Sequence, residues 1–97
     1  MTILNEQTFD DFISSDKVVV NFSAAWCGPC RMMAPLLEEL ESKNPGKIAK
    51  VDVDTSSVIA AKYGIKSIPT TLVFEKGILI DKKTGVLKES DITTMLN

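Results

Sequence analysis

The sequence predicts an α/β domain in which helices cover both faces of one central mixed β-sheet. Three observations predict it: two apolar strands separated by an amphipathic helix, a later pair of strands joined by a tight turn, and a closing helix. A strand–helix–strand unit pairs its strands in parallel, whereas a tight turn joins antiparallel strands. A chain of 97 residues has room for one such core, so we expect residues 1–97 to form a single domain.

The composition is that of a folded globular protein, with 44% hydrophobic and 25% charged residues. A net charge of −2 offers no electrostatic attraction to nucleic acid or to an anionic membrane. No apolar run approaches the roughly 20 residues that span a bilayer, and the first residues lack a secretory pattern. We expect a cytoplasmic monomer that binds neither nucleic acid nor membrane.

The first elements are a helix and a strand. Phe9, Phe12 and Ile13 have the spacing of one buried helical face, and Asn5 can cap that helix. Residues 17–22 contain a run of valines and predict a strand buried on both sides.

A second helix is predicted from Cys30 to about Ser42, with a kink at Pro35. Acidic residues occupy the opposite side of this helix and predict an ordinary solvated face. Its apolar stripe consists of Met33, Leu36, Leu37 and Leu40.

The middle of the chain predicts a turn, a strand and a short helix. Asn44, Pro45 and Gly46 are turn residues, and residues 48–53 alternate in the manner of a strand. A helix over residues 56–63 then stops at Gly64. Its apolar residues are Val58, Ile59 and Ala61.

The last part predicts a hairpin and a helix. Residues 70–74 and 78–81 are two strands, and the short connection between them implies antiparallel pairing. Ile92, Met95 and Leu96 give the final helix its buried face.

The segment Trp26, Cys27, Gly28, Pro29 and Cys30 carries the chemistry, because its two sulfurs lie three positions apart at the start of a helix. Residues at i and i+3 share a helical face, with β-carbons about 5–6 Å apart, whereas a disulfide needs about 3.5–4.5 Å. A small adjustment therefore opens or closes the bond. The helix N-terminus stabilises a thiolate at Cys27, and Cys30, one turn further in, should be more shielded.

These positions predict the roles in thiol–disulfide exchange. An exposed Cys27 thiolate attacks the target disulfide, and Cys30 then attacks Cys27 and releases the reduced target. Pro29 fixes the first helical turn, and Gly28 leaves the sulfur accessible. Trp26 supplies an apolar face beside the nucleophile; the alternative is a core aromatic.

Other interpretations of the cysteine pair are weaker. Zinc needs four ligands, and the chain has two cysteines and no histidine, which leaves only a metal shared between two chains. An inert disulfide would close a loop too small to stabilise the fold much. Two unrelated core cysteines would not explain the Gly-Pro between them.

The chain resembles the thioredoxin family over essentially its whole length. The resemblance rests on Trp-Cys-Gly-Pro-Cys at 26–30, on Pro35, on Ser-Ile-Pro-Thr at 67–70 and on Gly85. It implies the thioredoxin fold and a protein-disulfide reductase acting on protein disulfides, with no bound cofactor or metal. It also implies recharging with electrons from NADPH through a thioredoxin reductase. The Gly-Pro pair favours a reductant over glutaredoxins and oxidising relatives.

The resemblance also assigns the docking surface. It implies that Pro69 is cis and faces the cysteine pair, and that Ile68 offers its backbone to the target peptide. Thr84 and Gly85 complete the apolar edge, with Trp26 on the other side.

One departure concerns the aspartate that thioredoxins bury beneath the disulfide, which is Asn21 here. An amide does not titrate near neutral pH, so it cannot act as a base. Lys50, which matches the usual partner of that aspartate, then lacks its counter-charge. Our hypothesis is that Asp52 pairs with Lys50 and partly replaces the acid; the alternative is that Asp52 faces solvent.

Two other functions remain. The first is an interaction module or chaperone subunit whose partner binds the apolar rim around Trp26, Ile68 and Gly85 and does not require the cysteines. The second is an oxidant or isomerase in an exported compartment, which the Gly-Pro pair disfavours.

Overall fold

The computed structural model describes residues 1–97, which form a five-stranded sheet in the order β1-β3-β2-β4-β5. The sheet is mixed, because β1 and β2 both run parallel to β3, while β4 is antiparallel to β2 and to β5. The strands are β1 (Thr2–Leu4), β2 (Val18–Ser23), β3 (Ile48–Asp52), β4 (Thr70–Glu75) and β5 (Ile78–Thr84). The helices are α1 (Phe9–Ile13), α2 (Gly28–Lys43), α3 (Ser57–Lys62) and α4 (Glu89–Leu96).

Helices cover both faces of the sheet, as predicted. Alternation along the central strands sends Val18, Val20 and Phe22 to one face and Val19 to the other. On the first face they pack against α1 and α3 through Phe9, Ile13, Ile59 and Ala60. On the second face α2 and α4 contribute Met33, Leu37, Leu40, Ile92 and Met95.

Two strands differ from the sequence prediction. Strand β1 is an unpredicted three-residue edge strand in which only Leu4 is buried. Strand β5 continues to Thr84, beyond the predicted end at Asp81, because its pairing with β4 extends to the Thr70–Thr84 pair. All seven residues of β5 are exposed, so burial gives no periodic signal there.

The short helices are partly as predicted. Helix α3 buries Ile59 and Ala60. Val58, another apolar residue of this helix, is 69% exposed and lies outside the core. The N-cap residue of α1 is Thr8, so the prediction that Asn5 caps this helix is wrong. Asn5 instead caps the turn that precedes α1, where its Oδ1 accepts hydrogen bonds from the N–H groups of Gln7 and Thr8 at 2.9 and 3.1 Å.

Helix α2 positions the cysteine pair at the carboxyl end of β2, the end at which open α/β sheets build their sites. Cys27 is the N-cap residue, and the helix continues through Pro35 to Lys43. The predicted kink at Pro35 stays a prediction. None of the helices is both long and apolar enough to cross a bilayer.

Candidate active site

The two cysteines are joined in a disulfide across the first turn of α2, with their Cα atoms 5.2 Å apart. Cys27 has extended backbone angles and precedes the helix, so its side chain lies at the open N-terminal end. The N–H of Cys30 donates to Cys27 Sγ at 3.2 Å. Because this N–H belongs to the first helical turn and has no helical acceptor, it is free to stabilise negative charge on Cys27.

The predicted difference in exposure between the two cysteines is wrong for the disulfide form. Cys27 and Cys30 are each 4% exposed. Both pack in a small cluster with Ala24, against which Val53 and Ile68 lie. What distinguishes Cys27 from Cys30 is therefore its position at the helix end, not its exposure.

Trp26 borders the pair from outside the core. Its side chain is 67% exposed, so the interpretation as a core aromatic is wrong. The indole Nε1 donates to Asp54 Oδ2 at 2.8 Å, which fixes one edge of the ring. Asp54 was not predicted as a site residue, because no local sequence pattern links two residues 28 positions apart.

The loop before β4 forms the other side of the site. The Ile68–Pro69 peptide bond is cis, as the resemblance implied. Cys27 Sγ lies 4.0 Å from the carbonyl oxygen of Ile68. Neither the N–H nor the C=O of Ile68 has a backbone hydrogen-bond partner within the chain, so both are free for another peptide.

Gly85 and Thr84 lie next to this loop. The N–H of Gly85 donates to the Pro69 carbonyl at 2.8 Å, and Thr84 is paired with Thr70 across the hairpin. Gly85 has a φ of 102°, a conformation that side chains disfavour. Thr84 and Gly85 thus lie next to the Ile68–Pro69 loop, which borders Cys27.

Asn21 lies on the α2 face of β2 and is 1% exposed. Its Nδ2 donates to Thr71 Oγ1 at 3.1 Å, while its Oδ1 is buried without any hydrogen-bond partner. Since the amide carries no titrating proton, the sheet has no buried acid at this position.

The predicted Lys50–Asp52 ion pair is absent. The carboxylate Oδ1 of Asp52 instead accepts from the N–H groups of Asp54 and Thr55 at 2.8 and 3.2 Å. Asp52 therefore holds the loop that follows β3, a local turn contact that side chains of this type commonly make. Lys50 is half-buried and makes no salt bridge in the chain.

The two residues between the cysteines are exposed to solvent. Gly28 and Pro29 are exposed, and a Cβ added at Gly28 would meet nothing within 4 Å. No group of three or more His, Cys, Asp or Glu side chains is placed to hold a metal ion. The arrangement is that of a redox-active disulfide beside a loop whose Ile68 backbone groups have no backbone partner.

The known proteins that this chain is similar to are thioredoxins. The thioredoxin family model matches residues 1–97. A thioredoxin of Staphylococcus epidermidis is 43% identical over 96 residues, covering 97% of this chain and 92% of its own. One from Chlamydia pneumoniae is 38% identical, covering 98% and 94%. The solved structure of a Plasmodium falciparum thioredoxin superposes with a TM-score of 0.89 at 34% identity, covering 99% of this chain and 96% of that one.

Proposed function

The chain belongs to the thioredoxin family, and from that premise we propose how its residues perform the protein-disulfide reductase activity of the family. The observation that carries the proposal is the disulfide between the N-cap residue of α2 and the residue three positions further on. A thiolate at Cys27 is stabilised by the N–H of Cys30 and by the helix dipole, whereas Cys30 lies inside the helix.

The reaction has two exchange steps. In the first, the Cys27 thiolate attacks one sulfur of the target disulfide, and the other target sulfur leaves with the bonding electron pair. In the second, Cys30 loses its proton and attacks Cys27 Sγ, and the first target sulfur leaves as a thiolate. The target gains two electrons and the protein returns to the disulfide form.

We propose that the target binds along Ile68, with Trp26, Pro69, Thr84 and Gly85 as its apolar surroundings. The free N–H and C=O of Ile68 support this role, because an extended peptide recognises an exposed backbone edge by such groups. The Ile68 carbonyl lies beside Cys27 Sγ, so a peptide bound there holds its sulfur near the nucleophile.

The other residues of the motif support the pair. Pro29 restricts the first turn of α2, and Gly28 keeps the surface above the sulfurs open. Asn21 and Lys50 lie on the sheet face beneath α2, and we propose that they tune the second exchange step.

We further propose that residues 1–97 act as one monomeric domain, recharged by a thioredoxin reductase with electrons from NADPH. Membership of the family supports the reductase, and a reducing cytoplasm would keep the pair in its dithiol form. Cell fractionation, sedimentation of the purified chain, and its reduction by NADPH with or without a thioredoxin reductase test these points.

The cysteine roles are tested by trapping. Cys30→Ser should form a stable mixed disulfide with a disulfide-containing protein such as insulin, because the second step is blocked. Cys27→Ser should form none. A mixed disulfide through Cys30 in Cys27→Ser, at the rate of Cys30→Ser, would reverse the assignment.

A double variant separates reductase from interaction module. Insulin reduction with dithiothreitol as the electron source should fall to the uncatalysed rate when both cysteines are serine. Full activity in that variant would show that the chain acts by binding.

A further inference from the structure

A cleft of about 340 Å³ opens beside Cys30, between α2 and the carboxyl ends of β2 and β3. None of Trp26, Cys27 and Ile68 lines it, so it is separate from the docking edge. The space exists because small side chains, Ser23 on β2 and Ala34 on α2, stand where the helix crosses the sheet. The cleft therefore reaches Cys30 by a route that does not pass the residues of the docking edge.

The charges in the cleft favour an anion. Lys50 lines it, half-buried and with no salt bridge. Arg31 lies at its edge and holds the Ala25 carbonyl through Nη1 at 3.2 Å. The one carboxylate in the lining, Asp52, already accepts two backbone N–H groups. Positive charge thus exceeds negative charge, and the Lys50 ammonium lacks a counter-ion.

The second exchange step needs a proton acceptor, and the only carboxylate in the lining, Asp52, is already engaged through Oδ1 by two backbone N–H groups. Cys30 is 4% exposed, and burial disfavours a free thiolate, so the proton must leave as the sulfur attacks. Asn21, the buried polar group on the sheet beneath, cannot accept a proton near neutral pH.

We propose that the cleft binds a small carboxylate or phosphate anion, held by Lys50 and Arg31, which acts as the external base for Cys30. This inference rests on the proposed function. The anion takes the proton of the Cys30 thiol, the Cys30 sulfur forms a bond to Cys27 Sγ, and the bond from Cys27 to the target sulfur breaks. The electron pair of that bond goes to the target sulfur, which is then protonated by solvent.

The experiment follows the second step alone. Reduced protein is mixed with an aromatic disulfide whose thiolate absorbs visible light, and release of the second thiolate is followed by stopped flow. Acetate is varied at constant neutral pH, with chloride keeping the ionic strength fixed. In the unmodified protein the rate of this phase should rise with acetate and saturate. An acetate-independent rate overturns the proposal.

Two matched variants locate the anion. Lys50→Gln should lower the acetate-dependent part of the rate about two- to five-fold, the range expected for losing one partly exposed ion pair. Lys47→Gln, on a half-buried lysine outside the cleft, should leave it unchanged. An equal effect of the two variants overturns the assignment to the cleft.

A third variant tests the rival base. If Asp52 were the acceptor, Asp52→Asn would slow the second phase, and the rate of that phase in the unmodified protein would not depend on acetate. That result would contradict the proposal. Failure of the proposed function is distinguishable, because the first phase, attack by Cys27, would then be absent at every acetate concentration.

Discussion

Asn21→Asp is the substitution that should change both chemistry and stability. The position is 1% exposed, so the introduced carboxyl is almost fully desolvated and its pKa is raised. In its protonated form the carboxyl can be kept next to Thr71, while in its charged form it can accept the proton of Cys30. The second exchange step should therefore be faster at neutral pH than in the unmodified protein and should lose its dependence on acetate.

The magnitude of the stability change follows from the burial. Full burial raises a carboxyl pKa by up to about 3–5 units, and the unpaired Lys50 ammonium, directly opposite Asn21 in the β2–β3 pairing, lowers it again by about 1–2 units, which leaves a net rise of about 2–3 units. At about 1.4 kcal/mol per unit, the variant should lose about 3–4 kcal/mol well above the raised pKa.

The pH dependence has a definite sign. A carboxyl whose folded-state pKa is raised binds its proton more tightly in the folded state than in the unfolded chain. The loss is thus absent below about pH 4, the ordinary pKa of an aspartate, and develops as pH rises through the folded-state pKa.

Urea unfolding between pH 3 and pH 8 measures the effect, and stopped flow measures the rate. Asn5→Asp is the control, because Asn5 is exposed and its oxygen serves as an acceptor for which a carboxylate substitutes; it should change stability by less than about 0.5 kcal/mol. Equal second-step rates in Asn21→Asp and the unmodified protein would refute the reasoning.

Three further outcomes are expected. Leu37→Ala, at a fully buried position on the α2 side of the sheet, should lower the free energy of unfolding by about 3–5 kcal/mol. Val58→Ala, at a position that is 69% exposed, should change it by less than about 0.5 kcal/mol. Similar urea midpoints for the two variants would contradict the packing. Asp54→Ala removes the acceptor of Trp26 Nε1 and should raise the KM for insulin about two- to five-fold with kcat nearly unchanged; an unaltered KM would exclude a positioning role. Asp52→Ala should lower the free energy of unfolding by about 1–2 kcal/mol, because two backbone N–H groups lose their acceptor. Asp52→Asn should lower it less, since the amide oxygen still accepts. Equal urea midpoints for the two variants would contradict this.

The sequence predicts the central elements because their patterns are strong. The valine run of β2 and the apolar stripe of α2 each match one periodicity, and the structure buries them accordingly. The edge strands carry no such pattern. In β1 a single residue is buried, and its pairing with β3 joins segments more than 40 positions apart, which local propensity does not encode.

The candidate site also combines features that the sequence predicts with features that it does not. The cysteine spacing predicts the disulfide, since three positions on a helix bring the sulfurs close. The cis bond before Pro69 followed only from the family resemblance, because most such bonds are trans. The hydrogen bond of Trp26 to Asp54 and the separation of Lys50 from Asp52 depend on how loops fold over the sheet, so no sequence pattern contains them.

The central claim is that the end of α2 makes Cys27 the reactive sulfur. Its most direct test is the pH dependence of alkylation by iodoacetamide in the reduced protein, with each modified cysteine identified by mass spectrometry. We expect Cys27 to be alkylated first, with a midpoint well below about pH 8.5, the value for an ordinary thiol, and Cys30 to react far more slowly. Equal rates at the two positions, or a Cys27 midpoint at or above that of an ordinary thiol, would contradict the account.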